Sequence, residues 1–468
     1  MPEERVLCGE RCLEREANKM ETERLYYQDA YIKEFTATVL DCREGKKGYE
    51  IVLSATAFYP EGGGQPYDMG ILQLARDFSP EGRGCPRPTI EDWGHNPERA
   101  GAVHVLEVHE KEGELIHYTD APLEIGSQVH GMIDWARRFD LMQQHSGEHI
   151  VSGLVHAAYG YDNVGFHMGS DVITIDFNGE LDEEALHQIE AGTNEVIWQN
   201  QETRIFYPSA EELKTLPYRS KKELTGAVRI VEFPVRQENL SDTARADRAC
   251  DIRNTACLAG ANDSGIASLP YADLCACCGT HVARAGEIGM VKLLSVVKFR
   301  EGVRVEMICG KRVLDYLNMV NAQNHQISVL LSAKPDKTAE AVKRSMDENY
   351  RLKGRLLTLE EKLFAQEAER LAGRGDVLLF EKEMDSDSVR KLAVAVMETC
   401  GGRCAVFSDN GDGTFKYAVG EKDGDLRALV KEMNQALGGR GGGKTFFAQG
   451  SVKAEKNKIQ DFFCMNER

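Results

Sequence analysis

Two histidines four residues apart, in His145-Ser-Gly-Glu-His149, are the residues of this 468-residue chain with the clearest potential for chemistry. On a helix they share one face, about 6 Å apart along the axis. That is a spacing at which one metal ion accepts both nitrogens. Glu148 also makes the string read H-x-x-E-H, the mirrored signature of zinc proteases in which the glutamate is the base. A second pair of soft ligands follows much later. Cys277 and His281 are spaced C-x-x-x-H within Leu274-Cys-Ala-Cys-Cys-Gly-Thr-His281. One thiolate and three imidazoles make a zinc-type ligand set.

Two glycine-rich stretches come next. In Phe58-Tyr-Pro-Glu-Gly-Gly-Gly-Gln-Pro-Tyr-Asp68, the glycines Gly62, Gly63 and Gly64 permit backbone conformations and close approaches closed to other residues. With Gln65 and Asp68 beside them, the stretch reads as a flexible hairpin turn or as a ligand-facing loop. Gly438-Gly-Arg-Gly-Gly-Gly-Lys-Thr445 matches G-x-x-x-x-G-K-[ST] literally. A phosphate-binding loop needs a strand before it, a helix after it and a magnesium-holding Asp on a later strand. Here a helix precedes and a short tail follows. A glycine nest with Arg440 and Lys444, suited to an RNA backbone or to a tight packing turn, is the better reading. Cys8 and Cys12 are spaced C-x-x-x-C, but no second ligand pair lies near them.

The elements that must position these residues suggest an α+β chain; the length prior alone suggests about three domains. After an N-terminal extension, residues 1–23, within which Met20 is a candidate start, residues 24–137 read as a small β-barrel or sandwich. Its short strand-like runs are Phe35–Leu40, Tyr49–Leu53, Ile71–Leu74, Val103–Leu106 and Leu115–Tyr118, with a loop insertion at 79–99. Residues 138–312 form an α+β domain. A helix from Ile133 to about Tyr159 carries both histidines, and a strand is expected over Val172–Phe177. A helix capped by Asp182 runs to Asn200, followed by a strand over Val228–Pro234. From Ile308 to about Leu371 the chain reads as helical, broken at Pro335, with 313–373 as a coiled-coil-like linker. Leu352, Leu356, Leu359 and Leu363, spaced four, three and four, make a seam for a neighbouring domain or for a second copy. Residues 374–468 carry a small α/β pattern.

The net charge of −18 argues against a surface that binds nucleic acid all over. Local basic faces remain at Arg137-Arg138, Lys221-Lys222, Lys298 with Arg300 and Arg304, and Arg440 to Lys458. No apolar run approaches the roughly 20 residues of a membrane helix, and the charged N-terminus lacks the apolar centre of a signal peptide. Thirteen cysteines without such a signal point to a reducing compartment. The expected address is the cytoplasm.

The pairing of His145-x-x-x-His149 with Cys277-x-x-x-His281, in the string Cys-Cys-Gly-Thr-His-Val, resembles the editing domain of alanyl-tRNA synthetases and its free-standing relatives, the AlaX proteins. Phe58 to Asp68 is similar to the glycine-rich loop of the barrel preceding that domain. GGRGGGKTFFAQ, Gly438 to Gln449, is similar to the glycine-rich signature of the C-terminal domain shared with DHH-type phosphoesterases. The order barrel, editing domain, helices and C-terminal domain is that of the long AlaX class, over about residues 24–468. The resemblance implies one Zn2+ per chain on His145, His149, Cys277 and His281. One departure is Cys277-Cys278, where relatives usually show Cys-Gly-Gly-Thr-His. That makes Cys275 and Cys278 competing thiols, although Cys277 alone preserves the three-residue gap to His281.

The implied activity is trans-editing. The chain would hydrolyse the ester on mischarged tRNA-Ala, Ser-tRNA-Ala foremost and Gly-tRNA-Ala second, without an aminoacylation domain that activates alanine. A synthetase pocket for alanine excludes serine by only about 10²-fold, so a second site that reads the hydroxyl is needed. Thr174 and Asp176 share one face of their strand and His167 lies just upstream, so these could read that hydroxyl. Four protein ligands would close the zinc shell, which favours an ordering role for the metal. Glu148 is either a base or a surface-facing helix residue. Substrate contacts are expected from Gly62, Gly63, Gly64, Gln65, Asp68, His167, Thr174, Arg440 and Lys444. The helical and C-terminal regions are candidates for homodimerisation, and no membrane partner is expected. Two rivals remain open: a zinc-stabilised tRNA-binding module without catalysis, and an H-x-x-E-H metallopeptidase.

Overall fold

A computed structural model describes residues 21–75, 102–220, 227–236 and 269–465. Cys8, Cys12, the 79–99 insertion and Lys221-Lys222 lie outside them. The chain divides into two units, 1–321 and 322–468.

The first unit begins with a closed six-stranded barrel. Its strands are β1 (Glu34–Gly45), β2 (Gly48–Leu53), β3 (Gly70–Leu74), β4 (Ala102–Lys111), β5 (Glu114–Thr119) and β6 (Gln128–Ile133). They close in the order β1-β2-β5-β4-β3-β6. Period-two alternation explains the inward face: Phe35, Ala37 and Val39 of β1 are buried while the residues between them are exposed or half-buried. They pack on Leu53, Phe58, Leu72, Val105 and Val129.

One titratable side chain is sealed into this wall. His117 sits with Nδ1 3.1 Å from the Ile51 carbonyl and Nε2 2.8 Å from the Thr56 hydroxyl. Nδ1 therefore donates and Nε2 accepts. Burial pushes its pKa down to about 4, so the folded ring is neutral where the unfolded one charges. Unfolding thus takes up a proton between about pH 6.5 and 4, and stability is full above that window and falls as pH drops through it. From pH 7 to pH 5 this group should remove about 2 kcal/mol. Denaturant midpoints at the two pH values check this: His117→Phe should show the flatter dependence, and equal slopes would contradict it.

The barrel leads into α1 (Trp135–Tyr159), on which the first unit's second core is built. Asp134 caps its N-terminus by accepting from Arg137 N–H, and Gly160 ends it in the left-handed conformation at φ 70°. Residues 141–155 are buried all round, which marks an internal helix rather than a surface one. Met142, Ile150, Val151 and Leu154 pack with residues of a four-stranded sheet, each contributing roughly 1.5–3 kcal/mol. That sheet runs in the order β12-β13-β8-β7, where β7 is Asn163–Met168, β8 Ile173–Phe177, β12 Val291–Phe299 and β13 Gly302–Cys309. Helix α2 (Glu183–Gln199) packs beside it, capped by the Asp182 carboxylate on Ala185 N–H at 2.8 Å. A three-stranded sheet, β9 (Arg204–Phe206), β10 (Ile230–Pro234) and β11 (Tyr271–Ala276), carries the second ligand pair at its end. Ile308, expected to open a helix, instead pairs with Lys292 in the β12–β13 ladder. The helix starts at Lys311, because Gly310 turns the chain at φ 58°.

Helices α3 (Lys311–Leu330) and α4 (Thr338–Arg370) follow, separated by a 3-10 turn that opens at Pro335. The second unit then holds a five-stranded sheet in the order β14-β15-β16-β18-β17: β14 Gly375–Lys382, β15 Gly401–Asp409, β16 Phe415–Glu421, β17 Arg440–Gly443 and β18 Phe447–Val452. Helices α5 (Ser386–Cys400), α6 (Arg427–Ala436) and α7 (Lys456–Met465) complete it. The glycine run expected as a nest is a strand of a β-hairpin. Arg440–Gly443 pair with Ala448–Ser451, and Lys444 N–H closes the turn on the Phe447 carbonyl at 2.8 Å. Packing accounts for glycine here. A Cβ on Gly441 would stand 2.3 Å from the Tyr417 hydroxyl and 2.5 Å from the Gln449 carbonyl. Arg440 and Lys444 themselves are exposed. Among the described residues no helix is long and apolar enough to cross a membrane.

Candidate metal centre

Helix α1 presents His145 and His149 to the end of β11, where a turn carries Cys277 and His281. Their ligand atoms all lie within 4.8 Å of one another. The imidazole centroids are 5.1 Å apart for His145–His149, 4.7 Å for His145–His281 and 4.9 Å for His149–His281. Zinc bonds of about 2.0 Å to nitrogen and 2.3 Å to sulfur place donor atoms roughly 3.3–3.7 Å apart around one tetrahedral ion, so this set fits with small shifts. Phe166 stacks on His145 at 5.7 Å, and Phe233 lies 5.9 Å from His149, which keeps the cluster apolar on two sides.

The ring nitrogens show what the set is built for. His149 Nδ1 donates to Asp273 Oδ2 at 2.7 Å, and Asp273 Oδ1 is held by Arg219 Nε at 2.8 Å. His145 Nδ1 meets Gln65 Oε1 at 3.0 Å. Both rings thus use Nδ1 outward and leave Nε2 for the cluster, the usual carboxylate- or amide-backed arrangement of a metal ligand. His281 is 2% exposed, and neither of its nitrogens has a hydrogen-bond partner. A buried imidazole with no partner is costly; a cation among these four residues would supply one.

Electrostatics separates the three thiols. Burial acts to raise the Cys277 thiol, but His145, His281 and His149 outweigh it and hold it well below the ordinary range. Burial raises Cys275 and Cys278. A thiolate, the form that binds metal, is therefore favoured at Cys277. Burial also lowers His281 to about 3, against the pull of Cys277, which keeps that ring neutral at neutral pH. A second grouping, His149 with Asp273 and Cys275, shares His149; Asp273 is accounted for there as the carboxylate behind that ring. The Cys277 turn is fixed by Arg229, whose Nη1 donates to the carbonyls of Cys277 at 2.7 Å and Gly279 at 3.0 Å.

Several sequence expectations take other places. Asp68 faces no ligand: its fully buried carboxylate accepts from Arg138 Nε at 2.9 and 3.0 Å and from Arg138 Nη2, and from Tyr59 N–H at 2.6 Å. Arg138, expected on a basic face, is 0% exposed and also donates to the carbonyls of Ala30 and Ala57. Glu148 is not surface-facing; it is 3% exposed and accepts from Ser152 Oγ at 2.7 Å and from Asn163 Nδ2. Thr174 pairs with His167 in register, so these two and Asp176 do share a face. Ile173, Ile175 and Phe177 take the core side, with Phe166 against His145. Thr174, Asp176 and His167 are therefore on the sheet face turned away from the cluster, where Asp176 is ion-paired with Arg304 at 2.6 Å. Gly62, Gly63 and Gly64 stay near the centre. Gly64, at φ 87°, has no room for a Cβ, which would stand 2.6 Å from Phe166.

Asp273, Arg219, Arg229, Thr280 and Phe166 escaped the sequence reading. A signal existed for Asp273, since strand alternation sets it on one side with Cys275 and Cys277.

With this geometry in view, comparison with known proteins places the chain. A family model for the threonyl and alanyl tRNA synthetase second additional domain matches residues 262–305, and one for the DHHA1 domain matches 373–465. The alanyl-tRNA editing protein AlaX-L of Pyrococcus horikoshii is 26% identical over 94% of this chain and 96% of its own. The alanyl-tRNA editing protein Aarsd1 of Mus musculus is 28% identical over 92% of this chain and 93% of its own. The alanine–tRNA ligase of Halorubrum lacusprofundi is 28% identical over 92% of this chain, which is 42% of the ligase. The class is an α+β protein that joins a synthetase-type additional domain to a DHHA1 domain. Over nearly its whole length the chain is similar to alanyl-tRNA editing proteins, the long AlaX class among them.

Proposed function

We propose that this protein is an aminoacyl-tRNA hydrolase that deacylates mischarged tRNA-Ala in trans, with Ser-tRNA-Ala the foremost substrate and Gly-tRNA-Ala the second. The observation that carries this reading is the set of buried His145, His149 and His281 with half-buried Cys277, and the unpartnered His281 ring among them, in a chain similar to editing proteins over nearly its whole length. One zinc ion per chain fits these donors, and when bound it would order the pocket and hold the substrate's amino group or polarise its carbonyl.

The chain's own residues do the rest. An aminoacyl ester is already reactive, so positioning it and a water molecule accounts for most of the task. Asp273 and Gln65 orient two of the imidazoles, and Arg229 holds the Cys277 turn. Phe166 and Phe233 keep bulk water from the cluster side. Gly63 and Gly64 are exposed, Gly64 against Phe166, and are suited to close approach by the 3′ end of the tRNA. In the second unit, Arg440 and Lys444 at the exposed hairpin are suited to RNA phosphates. The exposed Leu352, Leu356, Leu359 and Leu363 of α4 are suited to pairing with a second copy, read from the sedimented mass as two chains rather than one.

The metallopeptidase reading is disfavoured. Glu148 is held by Ser152 and Asn163, and the fourth donor is a thiolate, which weakens zinc as a Lewis acid. Incubation with Ser-tRNA-Ala and, separately, a generic peptide pool decides among the readings. Deacylation with intact peptides is expected. Cleaved peptides would establish the peptidase, and no turnover of either would leave an RNA-binding module.

A further inference from the structure

The amide of Gln65 is oriented by groups that allow only one arrangement. Thr280 N–H, which can only donate, lies 3.0 Å from Gln65 Oε1, so that atom is the oxygen. Gln65 Nε2 donates to Thr280 Oγ1 at 2.8 Å. The same Oε1 lies 3.0 Å from His145 Nδ1. An oxygen with no hydrogen obliges Nδ1 to donate, so Nδ1 carries a proton and Nε2 is the nitrogen left for a metal. Nε2 is the atom facing Cys277 Sγ, at 3.5 Å. Gln65 is 0% exposed, and the space is fully used: a Cβ on Gly279 would stand 2.2 Å from His145 Cε1 and 2.9 Å from Gln65 Oε1. Yet Gln65 belongs to the barrel's glycine-rich turn, in which Gly62 and Gln65 exchange backbone hydrogen bonds.

We propose that Gln65 is a positioning residue of the metal centre rather than a substrate contact. Carried on the barrel, it fixes the tautomer and aim of His145, and so makes metal affinity in the α+β domain depend on the barrel loop. This rests on the zinc-site reading above.

The test is the zinc dissociation constant of the full chain, measured by competition with a chromogenic chelator, for wild type, Gln65→Leu, Gln65→Asn and Gln65→Glu. Gln65→Leu removes the acceptor and should weaken zinc by roughly 10–100-fold. Gln65→Asn, one methylene too short to reach both partners, should lose a similar amount and serves if the leucine variant does not fold. Gln65→Glu keeps an acceptor oxygen facing Nδ1 and should stay within about threefold of wild type. Wild-type zinc affinity in Gln65→Leu or Gln65→Asn, or a loss in Gln65→Glu as large as in those two, would overturn the role of Gln65 alone. A wild-type chain that takes up no zinc would overturn this inference together with the reading beneath it.

Discussion

Replacing Cys277 with Ala is expected to bring bound zinc from one per chain to near none, and to cut Ser-tRNA-Ala deacylation by well over the roughly 10²-fold that an outer-sphere change costs. Cys277 is the thiol that the three imidazoles hold low, and its loss leaves the cluster with imidazoles alone and no anionic ligand. The neighbours should not replace it. Burial raises Cys275 and Cys278, and Cys278 is exposed. Cys275→Ser and Cys278→Ser are therefore expected to keep their zinc. Metal content by mass spectrometry, read beside the deacylation rate, checks both arms. Zinc retained in Cys277→Ala and lost in Cys275→Ser would move the ligand register by two residues.

The second large effect is on stability. Arg138→Met leaves the Asp68 carboxylate buried beside Tyr59 N–H with no countercharge, and strands the carbonyls of Ala30 and Ala57. Breaking one side of a buried ion pair costs about 3–5 kcal/mol. Denaturant unfolding should show a loss of that size. The paired variant Arg138→Met with Asp68→Leu should lose clearly less than the sum of its parts, because no lone charge then remains. Additive losses would show that the two residues act independently. Asp68 ends the loop that carries Gln65 and Arg138 lies on the helix that carries His145, so the ion pair also holds these two partners in register.

These residues show what the sequence could and could not convey. The i, i+4 histidines, the C-x-x-x-H pair, the Asp182 cap and, to within two residues at its start, the helix expected from Ile133 to Tyr159 were legible because each is local, set by helical period and capping chemistry. Strand alternation correctly put Thr174 and Asp176 on one face, but period two does not say which face meets the site or that His167 pairs with Thr174; strand register and the packing of Phe166 and Ile175 decide that. Asp68 and Arg138 form their pair across 70 positions. In sequence one looks like a loop ligand and the other like half of a basic patch. Glu148 read as either a base or a surface residue because a glutamate on a helix is usually exposed, whereas α1 is buried on every side at that depth. The glycines of 441–443 read as a nest because nothing in their spacing reveals the Tyr417 hydroxyl they make room for.

If the His145, His149, Cys277 and His281 cluster holds zinc for ester hydrolysis, the reaction must follow the metal. The most direct measurement is the rate of Ser-tRNA-Ala deacylation by the full chain as purified, after metal removal by a chelator, and after addition of one equivalent of zinc. Hydrolysis is expected to be lost on removal and restored by that equivalent, with Ala-tRNA-Ala left intact throughout. Full activity in the stripped protein, or an untouched serine ester in the zinc-loaded one, would contradict it.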